Sequence, residues 1–247
     1  MSAYDALARF YDLLTTDVDY EKRGEYIHSL LIEHGADKGI MLDLSCGTGT
    51  LTEFFYKKGY DMIGVDKSPE MLMKARQKFF LSGCDALLLC QDIRELDLYG
   101  TVDCAICTLD SINHLPTIED VSTAFSRVSL FLNRGGVFVF DVNTEYKHRE
   151  ILGDNTFVLE EDDVFVVWQN AYEASDKSTD ICLDIFTKNG ELYERSTEEF
   201  TEWAYSTREL CDALTENGFE VKAVYDDLSR ECEREDSERL YFVAVKK

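Results

Sequence analysis

The chain is poor in basic residues: 25 Lys and Arg stand against 49 Asp and Glu, for a formal net charge of -24. Binding to a polyanion draws its affinity from Lys and Arg that neutralise phosphates, so neither RNA nor DNA is expected as a partner. There is no apolar run of the roughly eighteen residues needed to cross a bilayer, and no apolar segment of signal-peptide type at the N-terminus. A soluble, cytoplasmic chain without a membrane partner is therefore expected. Internal repeats, low-complexity tracts and linkers are missing too, so the 247 residues suit one large domain, or one domain carrying an insertion. No cluster of His, Cys and carboxylates has metal-ligand spacing, so no metal is expected.

Eight cysteines are present, mostly inside apolar runs of a large chain, which favours reduced thiols over a disulfide framework. Cys104 and Cys107 form a C-x-x-C, but a strand sends residues three apart to opposite faces. Core thiols are expected there, rather than a redox or zinc pair.

From Ile40 the chain alternates short apolar runs with helical segments. The runs are Ile40–Leu44, Met62–Val65, Ala86–Cys90, Val102–Cys107 and Val137–Val142. Such alternation predicts a doubly wound α/β fold with a mostly parallel sheet. Two helices are expected before it, in the aromatic-rich stretch Tyr4 to Leu14 and over Tyr20 to His34. Ser68-Pro69 and the capping box Ser206/Glu209 mark helix starts. After Thr117 the stripe Ile118, Val121, Phe125, Val128, Leu132 predicts a helix stopped by Gly135 and Gly136.

The rhythm breaks after Val142. Residues 155–205 read as an antiparallel β insertion that includes strands Val164–Tyr172, Thr179–Thr187 and Leu192–Trp203, with Asn189-Gly190 as a hairpin turn. A helix over Thr207–Asn217 and strands Phe219–Tyr225 and Leu240–Val245, able to pair as a hairpin, close the chain.

The chemistry is concentrated at strand ends. In Met41-Leu42-Asp43-Leu44-Ser45-Cys46-Gly47-Thr48-Gly49-Thr50 a strand runs into a glycine-rich turn that opens a helix, where the backbone can approach a ligand and N–H groups are unpaired. Asp43, just before the turn, suits a ligand bearing an ammonium or sulfonium better than a pyrophosphate. At the end of the next run, Asp66 is placed to accept from both ribose hydroxyls of an adenosine. After the third run, Asp92 is placed to accept from an adenine amino group, and Ile93 to cover the ring.

Together these residues resemble the class I S-adenosylmethionine-dependent methyltransferases over residues 38 to 143, in small-molecule form, with a seven-stranded sheet whose last strand is antiparallel. The resemblance implies S-adenosylmethionine as cofactor, held by Asp43, Ser45, Gly47, Gly49, Asp66, Lys67, Met71, Asp92 and Ile93. Ser45 stands where the family usually has a glycine, and Lys67 where it often has an apolar residue. The segment Cys107-Thr108-Leu109-Asp110-Ser111-Ile112-Asn113-His114-Leu115 is similar to the stretch after strand four in glycine and sarcosine N-methyltransferases. That likeness implies that the Thr108 and Leu109 carbonyls face the cofactor or substrate and that the Asp110 side chain faces the substrate. Those enzymes carry Asn at that position, so glycine or sarcosine is not carried over as the methyl acceptor.

His114 is the candidate catalytic base, and Tyr11 and Tyr20 are candidates to cover the sulfonium through their ring faces. Trp168 and Tyr172 are candidate substrate contacts, with residues 155–205 as a cover that sets specificity; a dimerisation sheet is the competing reading. The expected reaction is in-line methyl transfer to a nitrogen or oxygen of a small molecule. A nicotinamide oxidoreductase shares strand, turn and ribose acid, but its third glycine would fall on Thr52. A non-catalytic S-adenosylmethionine-binding protein is the other alternative.

Overall fold

The computed structural model describes residues 11–15, 18–161 and 163–247; of the expected first helix, residues 4–10 lie outside them. After α1 (Tyr11–Leu14) and α2 (Tyr20–Glu33), strands and helices alternate: β1 (Ile40–Leu44), α3 (Thr50–Lys57), β2 (Asp61–Asp66), α4 (Pro69–Ser82), β3 (Leu87–Cys90), β4 (Val102–Cys107), α5 (Ile118–Phe131) and β5 (Leu132–Asn143). Four antiparallel strands follow, β6 (Thr156–Glu161), β7 (Val164–Glu173), β8 (Ser178–Asn189) and β9 (Leu192–Trp203), before α6 (Thr207–Glu216), β10 (Phe219–Asp226) and β11 (Arg239–Lys246). The main sheet runs β10-β11-β5-β4-β1-β2-β3, and β11 is antiparallel to both its neighbours while β1 to β5 pair in parallel.

Strand alternation divides the core in two. Met41, Cys104, Ile106, Val137, Val139, Tyr241 and Val243 pack under α2 and α3 through Ile27, Leu30, Leu31 and Phe55. Their neighbours Leu42, Cys107, Phe138, Phe140 and Phe242 pack on the other face, against Val121, Phe125 and Val128 of α5 and Leu210 and Leu214 of α6. Cys104 and Cys107 are thus free thiols on opposite faces, and burial raises both pKa values.

The caps follow the sequence: Ser68 Oγ accepts from Met71 N with Pro69 at the first turn, and Ser206 and Glu209 form their reciprocal box. One boundary differs. Gly135 and Gly136 do not stop α5; it passes directly into β5 at Leu132, and the glycines sit in an irregularity of the β4–β5 pairing between Val102 and Cys104. A Cβ on Gly136 would lie 2.8 Å from the carbonyl oxygens of Asn133 and Asp103, so close backbone approach requires glycine there. The hairpin turn is also displaced by one residue, because Asn189 pairs with Leu192 and leaves Gly190 (φ 64) and Glu191 at the tip. Glycine at the first of two central positions is a favoured hairpin choice. Among the described residues no helix is long and apolar enough to cross a membrane.

Candidate active site

The carboxyl ends of β1 to β5 open into a cavity of about 520 Å³, walled on the other side by Phe157, Val166, Trp168, Leu183 and Phe200 of the four-stranded sheet. Open α/β sheets place ligand sites at this end, because helix N-termini and strand-end loops converge there.

One end of the cavity is built on the glycine turn. Ser45 and Gly47 both take positive φ (55 and 53), and both line the cavity. A Cβ added to Gly47 would meet nothing nearer than Tyr11 at 4.0 Å; it would project toward the open space instead, where a ligand approaches the backbone. Asp66 accepts from Gly47 N (2.8 Å) and Ser68 N (2.8 Å), which fixes its carboxylate at the cavity wall. Burial raises its pKa against these hydrogen bonds. Asp43 lies deeper and accepts from Thr52 Oγ1 at 2.5 Å; burial pushes its pKa up to about 7. Thr52 is therefore used to hold the acid, in the position where a dinucleotide fingerprint would need glycine.

Tyr11, Tyr20, Asp43, Ser45, Gly47, Thr108 and Leu109 also surround a small recess adjoining the turn. Asp12 holds α1 against it, through Thr48 Oγ1 (2.5 Å) and Lys78 Nζ (2.9 Å). Lys67, Met71, Asp92 and Ile93 line the main cavity. Asp92 is already engaged, however: Arg94 donates to both its oxygens (2.9 and 2.7 Å) and reaches on to Asp120 of α5. Those hydrogen bonds hold the Asp92 pKa below the ordinary range.

Gly49 lines neither space. It caps α3 with φ 77, and a Cβ there would lie 2.6 Å from the Phe79 ring, so its part is to let α3 and α4 pack closely. Gly49→Ala combines this overlap with a strained φ, and should cost about 1–3 kcal/mol in urea unfolding.

The far end of the cavity is polar. Leu109 and Asp110 both take φ 55, and the buried Asp141 of β5 accepts their N–H groups at 3.0 and 2.9 Å. Arg239 of β11 bridges Asp141 and Asp110 Oδ1, the latter at 2.8 Å. Asp110 thus lines the cavity, with a guanidinium already on its carboxylate. Burial would raise its pKa, yet Arg239, then Lys147 and His114, hold it at about 2. His114 also lines the cavity, 5.3 Å from the Phe200 ring centroid and with Nε2 3.8 Å from Glu202 Oε1; burial lowers its pKa to about 4.

Trp168 faces the cavity and donates Nε1–H to Asn170 at 2.6 Å. Tyr172 does not line it. Four residues along a strand keep the same face but lie about 13 Å away, and there Tyr172 N donates to Asp154 instead.

Sequence reading did not single out Asn143, Lys147, Glu202 or Arg239, all of which line this end. They come from β5, an unforeseen π-helical turn at Lys147–Leu152, β9 and β11, so no spacing relates them. The same convergence brings ligand atoms of Asp110, His114 and Glu202 within 4.8 Å of one another, a grouping absent from the linear sequence. Arg239 supplies Asp110 with its counter-charge.

A methyltransferase domain family matches residues 41–136. A putative methyltransferase of Bacillus subtilis (strain 168), YqeM, is 33% identical over 98% of this chain and 97% of its own. A crystal structure of an S-adenosylmethionine-dependent methyltransferase from Clostridium acetobutylicum ATCC 824 superposes with a TM-score of 0.89 at 35% identity, covering 98% of each chain. Over 54% of this chain and 56% of its own, a dTDP-3-amino-3,4,6-trideoxy-alpha-D-glucopyranose N,N-dimethyltransferase of Streptomyces venezuelae is 31% identical.

Proposed function

This chain belongs to the S-adenosylmethionine-dependent methyltransferases, and from that premise we propose that it methylates an amine nitrogen of a small molecule in the cytoplasm. Family membership sets aside the nicotinamide oxidoreductase, and product formation is what separates an active enzyme from a non-catalytic binder. When bound, S-adenosylmethionine supplies a methyl group on a sulfonium, itself a good leaving group. The protein's share is then to hold a nucleophile close and aligned, an effect that can supply about 7–11 kcal/mol.

The observation that carries the amine reading is the meeting of Asp110, His114 and Glu202 at one end of the cavity. Asp110 is already paired with Arg239, so the group open to a cation is Glu202. With its pKa pushed up to about 8, Glu202 can exchange a proton with an amine, and an ammonium is the precursor of a nitrogen nucleophile. The aminosugar dimethyltransferase named above supports the same choice. At the other end Asp66 would hold the ribose, Asp43 the cofactor's amino group, and Tyr11 and Tyr20 the sulfonium side. For Asp92 the proposed part is narrower: Arg94 occupies both oxygens, so only their remaining lone pairs can meet the adenine amino group. Screening purified protein against fractionated metabolite pools for S-adenosylhomocysteine release tests the proposal. Turnover should appear with primary or secondary amines; turnover confined to alcohols or carboxylic acids would sink it.

Because ionised Asp43 suits a cationic ligand and burial raises its pKa to about 7, cofactor affinity should fall as pH drops below 7. The limit is about tenfold per pH unit for one proton. Calorimetry with S-adenosylhomocysteine between pH 5.5 and 7.5 reads this directly.

Residues 155–205 are proposed as the substrate cover, since Phe157, Trp168, Leu183 and Phe200 form the cavity's apolar wall. Trp168→Ala should raise KM for the amine several-fold while leaving cofactor affinity within twofold. An unchanged KM with a shift from dimer to monomer by light scattering would favour the interface reading. The acidic balance supports the absence of nucleic-acid partners, which low-salt gel shifts with tRNA and duplex DNA check.

A further inference from the structure

Two carboxylates and two histidines meet beyond the reach of the glycine turn, and they are not equivalent. Asp110 carries a permanent counter-charge in Arg239. Glu202 has no Lys or Arg at ion-pair distance among the described residues. Its Oε1 faces His114 Nε2 at 3.8 Å, while its Oε2 faces His148 Nε2 at 3.8 Å and accepts from Asn143 Nδ2 at 3.3 Å. His148 is fully buried behind it, with Nδ1 2.8 Å from Thr179 Oγ1 and no hydrogen-bond partner on Nε2 among the described residues. A buried imidazole nitrogen left without a partner is costly, so its placement against the second carboxylate oxygen calls for a reason.

We propose that Glu202 is the catalytic group that takes the proton from the substrate ammonium, with His148 and Asn143 as positioning residues; this rests on the amine reading above. The ammonium N–H bond breaks and its proton passes to a Glu202 oxygen, leaving the electron pair on nitrogen. That pair forms the new N–C bond as the methyl's C–S bond breaks, and the C–S pair returns to sulfur. Atoms and charge balance: a protonated Glu202, a methylated ammonium and S-adenosylhomocysteine result.

Only one of the two carboxylates suits this step. A proton acceptor must approach the donor in pKa, and an alkylammonium loses its proton at about 10. Asp110, held at about 2, is far too weak a base. Burial, reinforced by Asp110, pushes Glu202 up to about 8. The groups around Glu202 are Asp110 and His114 from the turn after β4, Lys147 and His148 from the π-helical turn, and Arg239 from β11. The Asn143 hydrogen bond and the two cations lower its pKa, by less than burial and Asp110 raise it. Burial holds both histidines at about 4, so they are neutral and do not compete for the role of counter-charge.

The test uses the full chain bound to S-adenosylhomocysteine, labelled with carbon-13 at the glutamate side-chain carboxyls. The Glu202 resonance, assigned by its loss in Glu202→Gln, should titrate with a midpoint near 8. Benzylamine is the probe amine, its ring suited to the wall of Phe157, Val166 and Trp168. It should bind Glu202→Gln at least tenfold more weakly than the parent. Should that variant fail to fold, His148→Gln gives the assignment, because an amide donor beside Oε2 should lower the midpoint by a unit or more. A midpoint of 4 to 5, or equal benzylamine affinity in Glu202→Gln, overturns the role of Glu202 and leaves the amine reading standing. A midpoint near 8 with no benzylamine binding even in the parent overturns the amine reading, and the role of Glu202 with it.

Discussion

Arg239→Ala should lower the unfolding free energy by about 3–5 kcal/mol, the range for removing one partner of a buried ion pair. The side chain lies between Asp110 and Asp141; Arg239 and Asp141 are buried, and Asp110 is partly buried at the cavity wall. Asp141 would keep the N–H groups of Leu109 and Asp110, but Asp110 would lose its arginine partner. Two carboxylates would then face each other across a gap. The left-handed backbone at Leu109 and Asp110, which those contacts hold in place, would loosen as well. Urea unfolding at pH 7 measures the loss. The double variant Asp110→Asn with Arg239→Met should lose less than Arg239→Ala alone, because it removes both charges of one pair. The pH dependence has a definite sign. Asp110 has a folded pKa of about 2, below its unfolded value of about 3.9, so its pairing stabilises the fold fully above that unfolded value. As pH falls through 4 toward 2 the contribution is lost, and the gap between parent and Arg239→Ala should narrow.

Asp66→Ala should weaken S-adenosylmethionine binding by roughly ten- to a hundred-fold, from loss of charge-assisted hydrogen bonds worth about 1.5–3 kcal/mol. The carboxylate is preset, since Gly47 N and Ser68 N each hold one oxygen at 2.8 Å. A carboxylate offers about four acceptor sites, so two remain for the ribose hydroxyls without any rearrangement. The loss should exceed that in Asp66→Asn, which keeps one acceptor oxygen. Calorimetry with S-adenosylhomocysteine gives both affinities, and an unchanged value for Asp66→Ala would remove the ribose assignment. The parent should show no measurable NAD binding in the same experiment.

The legible part of the site is its local part. Asp43, Ser45, Gly47 and Asp66 announce themselves because a strand end, a glycine turn and the next strand end are short, ordered segments whose spacing survives in the sequence. Asp92 was legible as a strand-end acid, but its engagement by Arg94 was not, since rotamer and partner are set by packing against α5. Gly49 read as part of the ligand turn, whereas its own surroundings are the Phe79 ring of α4. Trp168 and Tyr172 share a strand face, and only the depth at which the sheet crosses the cavity separates them.

By itself the sequence determined the order of the main elements, the sheet type, the opposite facing of Cys104 and Cys107 and the family. Those follow from period-two and period-3.6 patterns and from turn chemistry, which act over a few residues. The tertiary structure alone decided which side chains share the polar end of the cavity. Asp110, Lys147, Glu202 and Arg239 come from four separate segments. Their charges, and the shifted pKa values that divide one carboxylate into an ion-pair partner and the other into a base, exist only once burial removes water and brings them together.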